Sequence, residues 1–263
     1  MHNFNYHRPG NVADAVTALG GAGDGKIIAG GMTLVPTLKQ RLAAPSDLID
    51  LGGIADLKGI KAEGDGVTIG AMTRHVDVAT SSVVKSTIPA LAQLAELIGD
   101  RQVRNRGTIG GSLANNDPAS DYPAAVLGLG ATIRTNKREI AADDYFRGLF
   151  ETALGEGEII TAVHFPKPEK AAYQKFAQPA SRFALIGVFV AKTKNGIRVA
   201  VTGGGNGVFR ATELETALSA NLAPAAAKAV KLDPADFNGD LHGTPEYRAA
   251  LVSTLAARAV QSL

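Results

Sequence analysis

Ala29-Gly30-Gly31-Met32-Thr33 and Thr108-Ile109-Gly110-Gly111-Ser112 decide how this chain is read. Each follows an extended approach and carries two adjacent glycines beside a hydroxyl residue. Glycine lacks a Cβ and accepts φ > 0, so paired glycines let successive backbone N–H groups converge on an anion. The hydroxyls of Thr33, Thr108 and Ser112 add further donors. Neither stretch carries the lysine of a P-loop, so a diphosphate held by bare backbone is the ligand these turns suit.

Outward from the first turn, Lys26 to Ala29 is the strand that delivers it, Leu34 to Arg41 the helix that follows, and Leu48 to Leu51 the next strand. The N-terminus of that helix brings unpaired amides and a positive dipole end to the turn. Val12, Ala15, Val16 and Leu19 recur at helical spacing after the cap residue Asn11, and Gly20-Gly21 ends that segment. Ile60 to Glu63 and Val67 to Gly70 form a hairpin, then Arg74 to Thr80 and Pro89 to Ile98 are helical. The basic stretch Arg101 to Arg106 is either solvated or adjacent to phosphate.

The second turn runs into Leu113-Ala114-Asn115-Asn116-Asp117-Pro118-Ala119-Ser120-Asp121, rich in short polar side chains that reach sugar or ribityl hydroxyls. Beyond it come a helix from Tyr122 to Leu129, a hairpin from Ala131 to Ala142 and a strand from Ile159 to Phe165. Pro166 and Pro168 cannot continue that strand, and they mark a boundary: 1–167 is one domain and 168–263 another. The second domain opens with three strands, Tyr173 to Phe176, Ala184 to Lys192 and Ile197 to Thr202, and turns helical and alanine-rich from Glu213.

Composition excludes several classes. A chain of 263 residues buries a sizeable core, and the absence of cysteine rules out disulfides, zinc thiolates and cysteine-held iron–sulfur clusters within it. A net charge of +2 with scattered Lys and Arg, no tryptophan and few aromatics gives no support for nucleic-acid binding. The first nine residues lack the apolar core of a signal peptide, and no apolar run reaches the about eighteen residues of a membrane span, so a cytoplasmic location is expected.

Other motifs fail on inspection. Gly203-Gly204-Gly205-Asn206-Gly207 does not complete G-x-G-x-x-G, and it reads as a mobile surface loop. Gly110-Gly111-Ser112-Leu113-Ala114 misses the last glycine of a nucleophile elbow, which sets aside a serine hydrolase built with Asp121, His164 and His242. The five histidines show no metal-ligand spacing, so no metal site and no catalytic acid or base is assigned.

With both glycine stretches and Asp117-Pro118-Ala119-Ser120-Asp121 in view, the chain resembles the medium, FAD-binding subunit of the molybdenum hydroxylases, the family of carbon monoxide and xanthine dehydrogenases. Further matching segments, in the same order, are Phe4 to Pro9, Thr33-Leu34-Val35-Pro36, Asp50-Leu51, Ile69 to Thr73, Arg104 to Ser112, Tyr122-Pro123-Ala124-Ala125 and Pro245-Glu246-Tyr247-Arg248.

The resemblance implies an α+β chain: a two-subdomain FAD-binding domain of the vanillyl-alcohol-oxidase type, then a small domain with a three-stranded antiparallel sheet and helices. It implies FAD as cofactor, with Ala29, Gly30, Gly31, Met32, Thr33, Thr108, Ile109, Gly110, Gly111 and Ser112 at the pyrophosphate. Asp121 falls at the polar chain of the cofactor, and the backbone of Ile160 and the side chain of Lys175 near the flavin ring. Read without the family, Asp121 is a helix cap, Ile160 a core strand residue and Lys175 a surface charge. Implied partners are a small subunit with two 2Fe–2S clusters, a large molybdopterin subunit and an external electron acceptor. A self-contained FAD-dependent reductase or oxidase and a cofactor-free scaffold are the competing readings. Two departures stand out: Ser181-Arg182-Phe183-Ala184 replaces the family's Gly-Asp-Tyr-Ala, so Phe183 lacks a hydroxyl, and Ser112 stands where Asn or Asp is common.

Overall fold

The computed structural model describes all 263 residues. Asn11 opens the first helix, Val12–Gly21, by accepting the Asp14 amide at 2.8 Å. That helix lies beside a three-stranded parallel sheet in the order Asn5–His7, Asp47–Asp50, Gly25–Ile28. Ala15, Ile49, Leu51, Ile54, Leu57, Met72 and Ile159 form its core.

The next sheet is antiparallel and five-stranded, in the spatial order Ile60–Glu63, Gly66–Gly70, Ile160–Pro166, Thr132–Thr135, Glu139–Ala141. Between its second strand and Thr132 the chain runs through a group of helices, of which Tyr122–Leu129 is buried along its whole length. One segment here had no element assigned from the sequence, and another differs from expectation. Arg101–Arg106 is a helix, capped by the Asp100 carboxylate on the Val103 amide at 2.8 Å. The second glycine stretch is not a turn after an extended segment: Thr108 is the N-cap of the helix Ile109–Asn115, and its glycines lie in the first helical turn. At Gly110 close packing on Ala71, described below, leaves no room for a side chain.

The last sheet is antiparallel with strands Lys170–Ala177, Ala184–Thr193, Gly196–Thr202 and Phe209–Arg210. Three strands were expected; the fourth is two residues long, too short to leave an alternating pattern in the sequence. Ala184–Thr193 is buried on both sides, which explains its unbroken apolar run. Phe189 and Ala191 join Tyr173 in the core shared with Tyr122–Leu129, while Ile186, Val188 and Val190 face the helices Thr212–Ala220 and Pro245–Gln261.

The loop Gly203 to Gly207 is pinned rather than free at the surface. Gly203 donates to the Pro118 carbonyl at 2.8 Å, and Gly204 accepts from the Asn238 amide at 2.9 Å. No helix is long and apolar enough to cross a membrane.

Candidate functional site

The strand Gly25–Ile28 ends in the first glycine stretch. Gly31 at φ +74° swings the chain into the helix Leu34–Lys39. A left-handed φ is open to glycine at little cost. The amides of Ala29, Gly30, Gly31, Met32 and Thr33 donate no hydrogen bond within the protein. The Thr33 hydroxyl caps nothing either, although Thr33 occupies the cap position. A run of unpartnered donors beside a concave surface is what an anion requires.

The second stretch works differently. Ile109 donates to the Thr73 carbonyl at 3.1 Å, Gly110 to Ala71 at 2.8 Å and Ser112 to Thr108 at 3.0 Å. The Gly111 amide points at Thr108 Oγ1, 3.2 Å away. These amides are already paired within the chain, whereas those of the first stretch are free to donate to a ligand. What the second supplies is proximity. A Cβ on Gly110 would lie 2.6 Å from that of Ala71, and one on Gly111 would lie 3.4 Å from that of Ala29. Its bare Cα surface closes the wall of the site.

Both stretches, except for the core residue Ile109, line one cleft of about 620 Å³, together with Asp121, Ile160 and Phe183. Asp121 is buried, and its carboxylate accepts from Tyr173 Oη at 2.6 Å and Lys175 Nζ at 2.9 Å. Burial pushes the Asp121 carboxyl up, against the pull of the Lys175 charge, and raises the Tyr173 phenol well above its usual range. The carboxylate caps no amide of the helix that follows it. Lys175 is no surface charge: its side chain is 2% exposed, it donates also to the Leu97 carbonyl, and it does not line the cleft itself. Ile160 is both a buried core residue and part of the cleft wall. The basic stretch contributes Val103 to the lining and none of its arginines; Arg104 is taken up by the carbonyls of Ile98 and Gly99 at 2.9 and 3.0 Å.

Several lining residues escaped the sequence reading. His75 is 5% exposed, its Nδ1 has no partner, and burial, aided by the Arg104 charge, lowers its pKa to about 4. Its ring lies 5.3 Å from that of Tyr122, whose hydroxyl is also unpartnered. Glu158 is held at about 2 by the Arg138 guanidinium and by donors from Gly155 and Thr135. Phe150, at a hairpin tip, is 57% exposed. No spacing or motif marks these positions, because each is brought to the cleft by tertiary packing.

The cleft is roomy enough for a long ligand, offers unpartnered amides at its first glycine stretch and carries apolar residues along its wall. Fold and cleft define a dinucleotide-binding subunit of mixed helix and sheet. Residues 2–168 match the family described as FAD binding domain in molybdopterin dehydrogenase. The carbon monoxide dehydrogenase medium chains of Hydrogenophaga pseudoflava and Afipia carboxidovorans are 36% and 37% identical, each alignment spanning 98% of this chain and 96% of the relative. The nicotine 6-hydroxylase medium subunit of Paenarthrobacter nicotinovorans is 35% identical over 97% of this chain and 95% of its own. A chain in the crystal structure of the Cu,Mo-CO dehydrogenase superposes with a TM-score of 0.91 at 35% identity, covering 99% of this chain and 98% of that one. The protein belongs to the FAD-binding medium subunits of the molybdenum hydroxylases, and FAD is its cofactor.

Proposed function

We propose that this chain is the electron-transfer subunit of a three-chain molybdenum hydroxylase. A small partner with two 2Fe–2S clusters delivers electrons to it, a large molybdopterin subunit oxidises the organic substrate, and an external acceptor takes the electrons away. Residues 1–167 form the FAD-binding domain, of the vanillyl-alcohol-oxidase type with two subdomains, and 168–263 a smaller domain; the complex is cytoplasmic. The observation that carries the cofactor end of this reading is the set of five unpartnered amides from Ala29 to Thr33. Bound FAD supplies the conversion between single-electron arrivals and two-electron delivery.

The chain's own residues bind and orient. The Ala29 to Thr33 amides and the Thr33 hydroxyl hold the diphosphate, and Thr108 to Ser112 close the wall beside it. Asp121, fixed by Tyr173 and Lys175, stands at the polar chain of the cofactor, and Ile160 and Phe183 border the flavin ring. No side chain is assigned a catalytic acid or base role. Medium chains align over 98% of this chain, the residues after Pro166 included, which favours this reading over a self-contained reductase or oxidase with a substrate cap of its own.

The test is purification and flavin titration of the full chain. Expected are a flavin absorbance band, binding of FAD at least tenfold tighter than riboflavin because only FAD brings the diphosphate, and co-purification with a cysteine-rich small chain and a large molybdenum-containing chain. Equal affinity for FAD and riboflavin overturns the diphosphate assignment. A chain that purifies alone and turns over a substrate with its own flavin overturns the electron-transfer role.

A further inference from the structure

Leu149 and Phe150 form the two-residue tip joining Phe146–Gly148 to Glu151–Thr152, and both are 57% exposed. Phe150 adopts φ +56°. A hairpin tip gives that conformation to glycine or asparagine, and it is strained for a bulky side chain. Here a large apolar ring is held in water on a strained backbone, two unfavourable choices at one position.

The surrounding structure enforces both. Asn116 is 1% exposed, lies at φ +43°, and ends the helix that Thr108 begins. Its side-chain amide donates to the carbonyls of Gly148 at 2.9 Å and Glu151 at 2.7 Å, the pair that closes the hairpin. Tyr145, just before the hairpin, donates to the Leu113 carbonyl of the same helix at 3.1 Å. Strain that is over-determined by buried polar contacts marks a position kept for a task.

Phe150 lines the cleft, as does Phe183, which is 46% exposed on a loop where Arg182 adopts φ +61°. With Leu154 and Ile160 these rings make an apolar rim. We propose that Phe150 is a flavin-binding residue: its ring packs against the isoalloxazine of FAD, and Asn116 is the positioning residue that holds it there. This rests on the reading of the cleft as the FAD site. Isoalloxazine fits the rim better than adenine does, because its dimethylbenzene edge carries no hydrogen-bonding groups, whereas adenine's exocyclic amine and ring nitrogens need partners.

The test uses the full chain stripped of flavin and titrated with FAD, riboflavin and ADP. Phe150→Ala raises the Kd for FAD about tenfold and shifts the visible flavin band, while Phe150→Trp stays within about twofold of wild type. Asn116→Ala weakens FAD in the same direction with Phe150 intact. Phe150→Gly, which relieves the strained φ, melts without flavin no lower than wild type, so its weakened binding is not misfolding. An unchanged FAD Kd and spectrum in Phe150→Ala overturns the proposal, and so does a loss of affinity shared by ADP but not riboflavin, which would put adenine at the rim. Wild-type protein that takes up no FAD overturns instead the reading of the cleft on which it rests.

Discussion

Gly30 has no room for a side chain because the backbone of Arg106 occupies it. A Cβ there would lie 2.1 Å from the Arg106 carbonyl oxygen and 2.8 Å from the Cα of Gly107. Arg106 and Gly107 lead directly into Thr108, so this contact sets the distance between the two glycine stretches and the width of the cleft floor. Gly30→Ala must push two backbones apart. It is expected to cost about 1–3 kcal/mol and to lower the FAD-to-protein ratio, read by denaturant unfolding and flavin absorbance. Gly20→Ala, with nothing within 4 Å of the new Cβ in the helix Val12–Gly21, is the control and is expected to be neutral or stabilising. Equal stability and flavin content in the two variants would show that the close approach does not matter.

The Asp121 and Lys175 pair is buried, with side chains 4% and 2% exposed. Removing one partner leaves an uncompensated charge. Lys175→Met is expected to destabilise by about 3–5 kcal/mol, and the double variant Asp121→Asn with Lys175→Met by clearly less than the sum of the single changes. A double-mutant cycle in urea measures this. Additivity within error would mean the two groups do not interact.

The first glycine stretch was legible in the sequence because its message is local: a strand, two glycines, a hydroxyl and a helix follow one another between Lys26 and Arg41. The second lines the same cleft but was misread as a turn. Gly110 and Gly111 are there to meet Ala71 and Ala29, and a contact between distant segments leaves no local trace. Lys175 shows the same limit, since only the approach of Asp121 across 54 positions turns a charge into a buried pair. Phe209–Arg210 was missed because two residues carry no period, and Phe150, whose φ is unusual for its type, carries no motif.

Arg248 ties three segments together near Phe183. It is 5% exposed and donates to the carbonyls of Leu185 at 2.9 Å and Gly203 at 2.7 Å, and to the Asp240 carboxylate at 2.7 Å. Arg248→Met keeps much of the packing and strands these acceptors. A loss of about 2–4 kcal/mol is expected in chemical unfolding, with Arg248→Lys recovering part of it. A loss under about 0.5 kcal/mol would show that the carbonyls find other donors.

Two cleft residues titrate in different windows. His75 falls from an ordinary 6.5 to about 4 because burial disfavours its charged form. The unfolded chain then binds the proton more tightly, so this contribution to stability is complete above pH 6.5 and is lost as pH falls toward 4. Its full size is on the order of 3 kcal/mol. Glu158 is lowered from 4.5 to about 2 by Arg138, so its contribution is complete above pH 4.5 and is lost as pH falls toward 2. Unfolding free energy measured across pH 3 to 8 is expected to decline in both windows for the wild type. His75→Gln reduces the upper decline and leaves the lower, whereas Glu158→Gln leaves the upper and reduces the lower, of which Glu63 keeps a share. A His75→Gln curve parallel to wild type between pH 4 and 6.5 would mean that His75 finds a partner for its proton in the folded protein.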